Sequence, residues 1–158
     1  MNDFSTSISG VSLRPLAEID TAGGPVLHML RADSPEFFSF GEIYFSMVEP
    51  GAVKAWKRHS RQTQYFAVPC GLMEIVVYDP RETSPSQGVV ESFLLGRPDY
   101  YFLLRIPPGL WYGFACRSIQ SALMANCADI PHDPQESERL PQNSPEIPFS
   151  LEGSIFTA

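Results

Sequence analysis

Apolar and polar positions alternate or run together in short blocks at residues 26–31, 41–49, 53–59, 62–68, 72–79, 89–95, 100–106, 111–115 and 119–126. Blocks of that length, rich in aromatic and β-branched residues, predict strands. Turn signals fall between them at Glu49-Pro-Gly51, Pro69-Cys-Gly71, the segment from Asp79 to Gly88, Gly96-Arg-Pro-Asp99 and Pro107-Pro-Gly109. About nine short strands at such close intervals predict an all-β sandwich or jelly roll. Only residues 133–140 read as helix, with Asp133 as its cap and Pro134 at the first helical position. There is no internal repeat and no linker. The pattern therefore predicts one domain over residues 11–148, with flexible tails at 1–10 and 149–158. The first forty residues are less regular and are candidates to lend a strand to a partner subunit in a homodimer.

Composition narrows the picture. At 158 residues, with 44% hydrophobic and 18% charged positions, the chain can bury a core without staples. Fifteen prolines count against long helices. A net charge of −7, with no basic cluster beyond Lys57-Arg58 and nearby Arg61, argues against nucleic acid as a partner. No apolar run reaches the length of a signal core or of a bilayer span, so no membrane contact and a cytoplasmic location are expected. Cys70, Cys116 and Cys127 are odd in number and lack C-x-x-C spacing, which fits reduced thiols.

Candidate chemistry gathers on two strands and a corner. The run Arg105-Ile-Pro-Pro-Gly-Leu-Trp-Tyr-Gly-Phe114 places Tyr112 just past a rigid turn, where its ring can enter a barrel mouth. Positions 55, 57 and 59 share one strand face, so Lys57 and His59 can both enter the barrel if either does. The stretch Gly51-x5-Lys57-x-His59-x4-Gln64-x6-Gly71 keeps the spacing of the first metal-binding motif of the cupins. Pro107-Pro-Gly-Leu-Trp-Tyr112 resembles their second. Of the four ligand positions only His59 carries a good ligand, since a Lys ammonium repels cations and Gln and neutral Tyr bind metals poorly. No metal and no other cofactor are expected.

Two longer motifs resemble the dTDP-4-dehydrorhamnose 3,5-epimerase-related family, the metal-free sugar-nucleotide branch of the cupins, over roughly residues 41–140. That family's V-D-L-R-x-x-S-P-T-x-G reads Tyr78-Asp-Pro-Arg-x-x-Ser-Pro-Ser-x-Gly88, and its I-P-x-G-F-A-H-G-F reads Ile106-Pro-Pro-Gly-Leu-Trp-Tyr-Gly-Phe114. The resemblance implies a double-stranded β-helix that dimerises, binds a nucleotide sugar and epimerises it in deoxysugar and polysaccharide synthesis. The catalytic types have changed. The family's R-G-L-H, which carries its base, falls on Lys54-Ala-Trp-Lys57; its Q-x-K falls on Gln62-Thr-Gln64; its acid tyrosine falls near Asn126; its N-terminal D-x-R-G reads Asp20-Thr-Ala-Gly23 without the arginine.

Epimerisation beside a ketone needs a base for the α-proton, donors for the enolate, and an acid on the opposite face. Here His59 is a candidate base, Lys57 a cation for the enolate or a phosphate, and Tyr112 an acid or hydrogen-bond donor; a lysine among aromatic walls could equally serve as the base. Lys54, in place of the family's phosphate-binding arginine, is an anion candidate. Gln62, Gln64, Asn126, Arg81 and Trp111 are candidates for substrate contact, although Arg81 also suits a turn ion pair with Asp79, and Trp111 also suits a core. Two further readings remain open: a relative that binds a sugar nucleotide or carbohydrate without turnover, and a structural barrel.

Overall fold

In β7 (Leu72–Tyr78) Met73, Ile75 and Val77 enter the core while Val76 packs on the other face, the alternation that a pleated strand imposes. The computed structural model describes residues 4–156, and there this period recurs in two facing antiparallel sheets. With strands numbered in chain order, the first sheet runs β1 (Ser12–Pro15), β9 (Phe102–Ile106), β6 (Gln64–Cys70), β11 (Ala122–Ala128), β4 (Glu42–Val48). The second runs β12 (Ser137–Arg139), β5 (Val53–His59), β10 (Trp111–Cys116), β7, β8 (Val90–Gly96). A two-stranded ribbon, β2 (Glu18–Ile19) and β3 (Val26–Leu27), stands apart. This is an all-β, cupin-like jelly roll.

Side chains from both inner faces interdigitate: Phe66, Leu104 and Met124 of the first sheet meet Ile75, Phe93 and Phe114 of the second. Burying each of them contributes about 2 kcal/mol. The outer faces are covered as well. Trp56, Val76, Trp111 and Ala115 lie under Ile147 and Leu151, while Tyr65, Ala67, Leu103 and Cys127 lie under Leu16.

Each of the nine expected strand blocks contains a strand, although 26–31 shrinks to Val26–Leu27. Three short strands escape the sequence pattern. β1 ends in Pro15 and pairs with β9 of the same chain at the edge of the first sheet. The expected helix at 133–140 is corrected to a single 3-10 turn, Pro134–Glu136, with Asp133 accepting from the Gln135 N–H at 2.9 Å. Beyond it Ser137–Arg139 pair with His59–Lys57, and Leu140 and Trp56 exchange backbone bonds of 3.1 and 2.9 Å. A free edge of β5 satisfies more of that backbone than another helical turn would. Residues 4–10 and 149–156 are likewise not free tails. Ile8 is in the main core, Leu151 covers the Trp56 cluster, and the Phe156 N–H donates to Arg117 O at 2.8 Å. The remainder of those expected tails, 1–3 and 157–158, lies outside the described residues. Among the described residues no helix is long and apolar enough to cross a membrane, and the three cysteines are free thiols.

Candidate active site

The site is set by one corner and one bulge. Gly109, at φ +88, turns the chain into β10, and its N–H donates to the His59 carbonyl at 2.7 Å, which ties the start of β10 to the end of β5. Tyr112 then stands opposite Lys57. Two residues on, the register slips: Phe114 stands opposite Lys54, leaving an extra residue in β5. Strict alternation would send two lysines three apart to opposite faces, and the bulge returns both to the inner one. Gly113 faces that bulge, where a Cβ would sit 2.6 Å from the Ala55 Cβ.

Between the sheets opens a cavity of about 510 Å³, a size that suits a small organic ligand. Tyr44, Ser46, Phe66 and Asn126 line it from the first sheet, and Lys54, Lys57, Tyr112 and Arg139 from the second. The Tyr112 hydroxyl lies 3.0 Å from His59 Nε2, and His59 Nδ1 bonds to Glu136 Oε1; all three residues are buried. Burial lowers the His59 pKa, partly offset by the Glu136 bond, so the imidazole is neutral. Burial by itself would raise the Glu136 carboxyl, but bonds from His59 and from the Arg61 and Gln62 N–H groups outweigh it and hold the group ionised. The proton therefore resides on Nδ1, and Nε2 accepts from the Tyr112 O–H. Burial pushes the Tyr112 phenol far up, keeping it protonated at rest. Lys57 is lowered by burial and by Arg139, its cross-strand neighbour.

A second polar chain enters from the other wall. Gln62 Nε2 donates to Ile130 O at 2.7 Å, Gln64 Nε2 donates to Gln62 Oε1, and Asn126 Nδ2 donates to Gln64 Oε1 at 2.7 Å and to the Tyr44 hydroxyl. Asn126 Oδ1 is buried without a partner.

Of the residues anticipated from sequence, Lys57, Tyr112, Lys54 and Asn126 line the cavity. His59 lies behind Tyr112 with both ring nitrogens engaged, so it reaches a ligand only through that phenol. Gln62 and Gln64 lie behind Asn126. Two candidates belong elsewhere. Arg81 is fixed by Asp79, with Nε and Nη2 each 2.8 Å from a carboxylate oxygen, and it also donates to Ser9 O. Asp79, wholly buried, further accepts from Ser84 and Ser86 at 2.6 Å, and these bonds overcome burial to hold its pKa well below the usual range. The D-P-R-x-x-S-P-S motif is thus a folding turn. Trp111 points outward, with the Arg58 guanidinium 4.6 Å from its ring centre, because it opposes Arg58 and not Lys57 in the ladder. Tyr44, Glu136 and Arg139 escaped the sequence reading. The alternation of exposed Ile43, Phe45 and Met47 with Tyr44 and Ser46 could have flagged the first; the other two were hidden in the expected helix. The four cupin ligand positions hold Lys57, His59, Gln64 and Tyr112, and among the described residues no three His, Cys, Asp or Glu converge as a metal site.

Jelly-roll fold, a cavity between the sheets and a buried Tyr112–His59–Glu136 chain at its wall define a cupin-class barrel. Comparison with known proteins makes the assignment specific. A dTDP sugar isomerase from Desulfovibrio desulfuricans is 60% identical, with a TM-score of 0.90 over 91% of this chain and 92% of that one. A probable low-salt glycan biosynthesis epimerase, Agl13 of Haloferax volcanii, is 32% identical over 139 residues, covering 85% of this chain and 88% of that protein. A dTDP-4-dehydrorhamnose 3,5-epimerase from Bacillus anthracis shares the fold at 17% identity, with a TM-score of 0.83 over 98% and 94% of the two chains. No protein-family model matches. The chain belongs to the dTDP-4-dehydrorhamnose 3,5-epimerase-related family and is a carbohydrate isomerase of that type.

Proposed function

We propose that the protein acts on a dTDP-linked 4-keto-6-deoxyhexose, shifting configuration or the carbonyl position by abstracting a proton next to the ketone. The observation that carries this reading is the Tyr112–His59–Glu136 chain ending at the cavity. The Tyr112 oxygen takes the α-proton as its own proton passes to His59 Nε2, and the resulting imidazolium is neutralised by Glu136. The electron pair left on carbon moves to the ketone oxygen as an enolate. Lys57, on the same wall as Tyr112, supplies the cation for that oxygen. Lys54 at the rim and Arg139 suit the diphosphate; among the described residues Arg139 has no ion-pair partner. In this reading the Tyr112 oxygen is the group that takes the α-proton, in place of the acid or donor role expected for it, and His59, expected as the base, receives the phenol proton behind it.

In deuterated water the wild type should exchange the substrate proton at carbon 3, carbon 5 or both. Tyr112→Phe should slow that exchange by about a hundredfold or more. Exchange that survives in Tyr112→Phe and His59→Asn but vanishes in Lys57→Met would make the lysine amine the base. A wild type that binds the nucleotide without exchange would favour a silent binder. The homodimer contact is assigned to edge strand β4, whose outward Ile43, Phe45 and Met47 are about half or more exposed and form an apolar row. A strictly monomeric species in sedimentation would refute that contact.

A further inference from the structure

The amide chain opposite Tyr112 has a fixed direction. A backbone carbonyl can only accept, so Ile130 O requires the Nε2 end of Gln62, which leaves Gln62 Oε1 to face Gln64 and so requires Gln64 Nε2 there. Gln64 Oε1 then requires Asn126 Nδ2. Turning the Asn126 amide over would set its oxygen against Gln64 Oε1, and turning the glutamines in compensation would only move that oxygen–oxygen contact along the chain until it met the Ile130 carbonyl. Asn126 therefore donates to the Tyr44 oxygen, and the Tyr44 O–H is left to donate elsewhere. Tyr44 lies on the inward face of β4, directly opposite Asn126 in the ladder, and lines the cavity. Its wall belongs to the first sheet, whereas Tyr112 belongs to the second. The position matched to the family's acid tyrosine holds Asn126, and a tyrosine stands one strand over.

We propose that Tyr44 is the acid that returns a proton to the enolate from the face opposite Tyr112. This rests on the epimerase reading above. The enolate carbon forms a C–H bond with the Tyr44 proton as the Tyr44 O–H bond breaks, and the ketone is restored. The phenolate left behind accepts the Asn126 Nδ2 bond and regains its proton from water at the cavity mouth, while the Tyr112–His59 pair releases its extra proton. Tyr44→Phe tests the assignment with dTDP-4-keto-6-deoxyglucose in deuterated water. Without the second acid, the base wall still removes a proton and returns a deuteron to the same face. Recovered starting sugar should therefore gain deuterium with unchanged configuration at a rate within a few-fold of wild type, while inverted product falls by about a hundredfold or more. Asn126→Leu, which removes the donor that orients the phenol, should lower inversion in the same sense but less. Inversion at the wild-type rate in Tyr44→Phe would overturn the assignment, and so would a loss of exchange equal to the loss of inversion. A wild type without any exchange would overturn the epimerase reading itself, which is a separate result.

Discussion

Replacing Glu136 by Gln offers the sharpest test of the relay, because the structure dictates how the new amide must sit. Glu136 Oε2 accepts from the Arg61 and Gln62 N–H groups at 3.2 Å each, while Oε1 holds His59 Nδ1. A Gln there must turn its only oxygen toward the two backbone donors, so its NH₂ faces Nδ1. That forces the ring proton onto Nε2, aimed at the Tyr112 oxygen, where it can no longer accept the phenol proton. The loss should approach that of deleting the phenol, about 100-fold to 10,000-fold in exchange rate. Because one proton path is cut at two places, the losses should not add: Tyr112→Phe combined with Glu136→Gln should be no more than a few-fold slower than Tyr112→Phe alone. The assay is deuterium incorporation beside the ketone, read by NMR in the four members of the cycle, with thermal melts to confirm folding. Multiplicative losses would refute the relay, and so would a Glu136→Gln variant within threefold of wild type.

Asp79→Asn should destabilise the fold by about 3 kcal/mol, because it strips the charge that binds Arg81, Ser84 and Ser86; a melting shift of under about 3 °C would refute this. Since the folded-state pKa values of Asp79 and Glu136 lie below their ordinary ones, their contribution is complete above the unfolded carboxylate range, near pH 4, and is lost as pH falls below it, so wild-type stability should drop steeply there and that of Asp79→Asn less so. Arg139→Met should raise KM for the nucleotide sugar about tenfold or more with a smaller change in kcat, and an unchanged KM would remove Arg139 from the diphosphate. Trp111→Phe should leave exchange within about threefold of wild type, since the ring lies on the outer face.

The architecture was legible because strand burial obeys period two wherever one face meets the core, as in β4 and β7. It was less legible where tertiary pairing overrides local preference. Asp133-Pro134 is a sound helix start, and the turn does begin there, yet the unpaired edge of β5 captures Ser137–Arg139. Two site residues travelled with that error, Glu136 at the end of the turn and Arg139 on the strand.

Matching motif positions one by one located the cavity, with Lys54, Lys57, Tyr112 and Asn126 on its lining, but did not show which groups face one another across it. Lys57 at the base position and Asn126 at the acid position suggest a disabled enzyme when each is judged alone. Across the ladder each faces a tyrosine, Tyr112 opposite Lys57, backed by His59 and Glu136, and Tyr44 opposite Asn126, and these are the groups to which the proposed mechanism gives the proton transfers. Neighbouring strands lie about 5 Å apart, so a functional group can pass from one strand to the next while staying within reach of the same ligand atom. What the reaction constrains is the set of groups facing each wall of the cavity. A barrel of paired strands can meet that demand from either member of a cross-strand pair, and in the proposed mechanism Tyr112 and Tyr44 are those members.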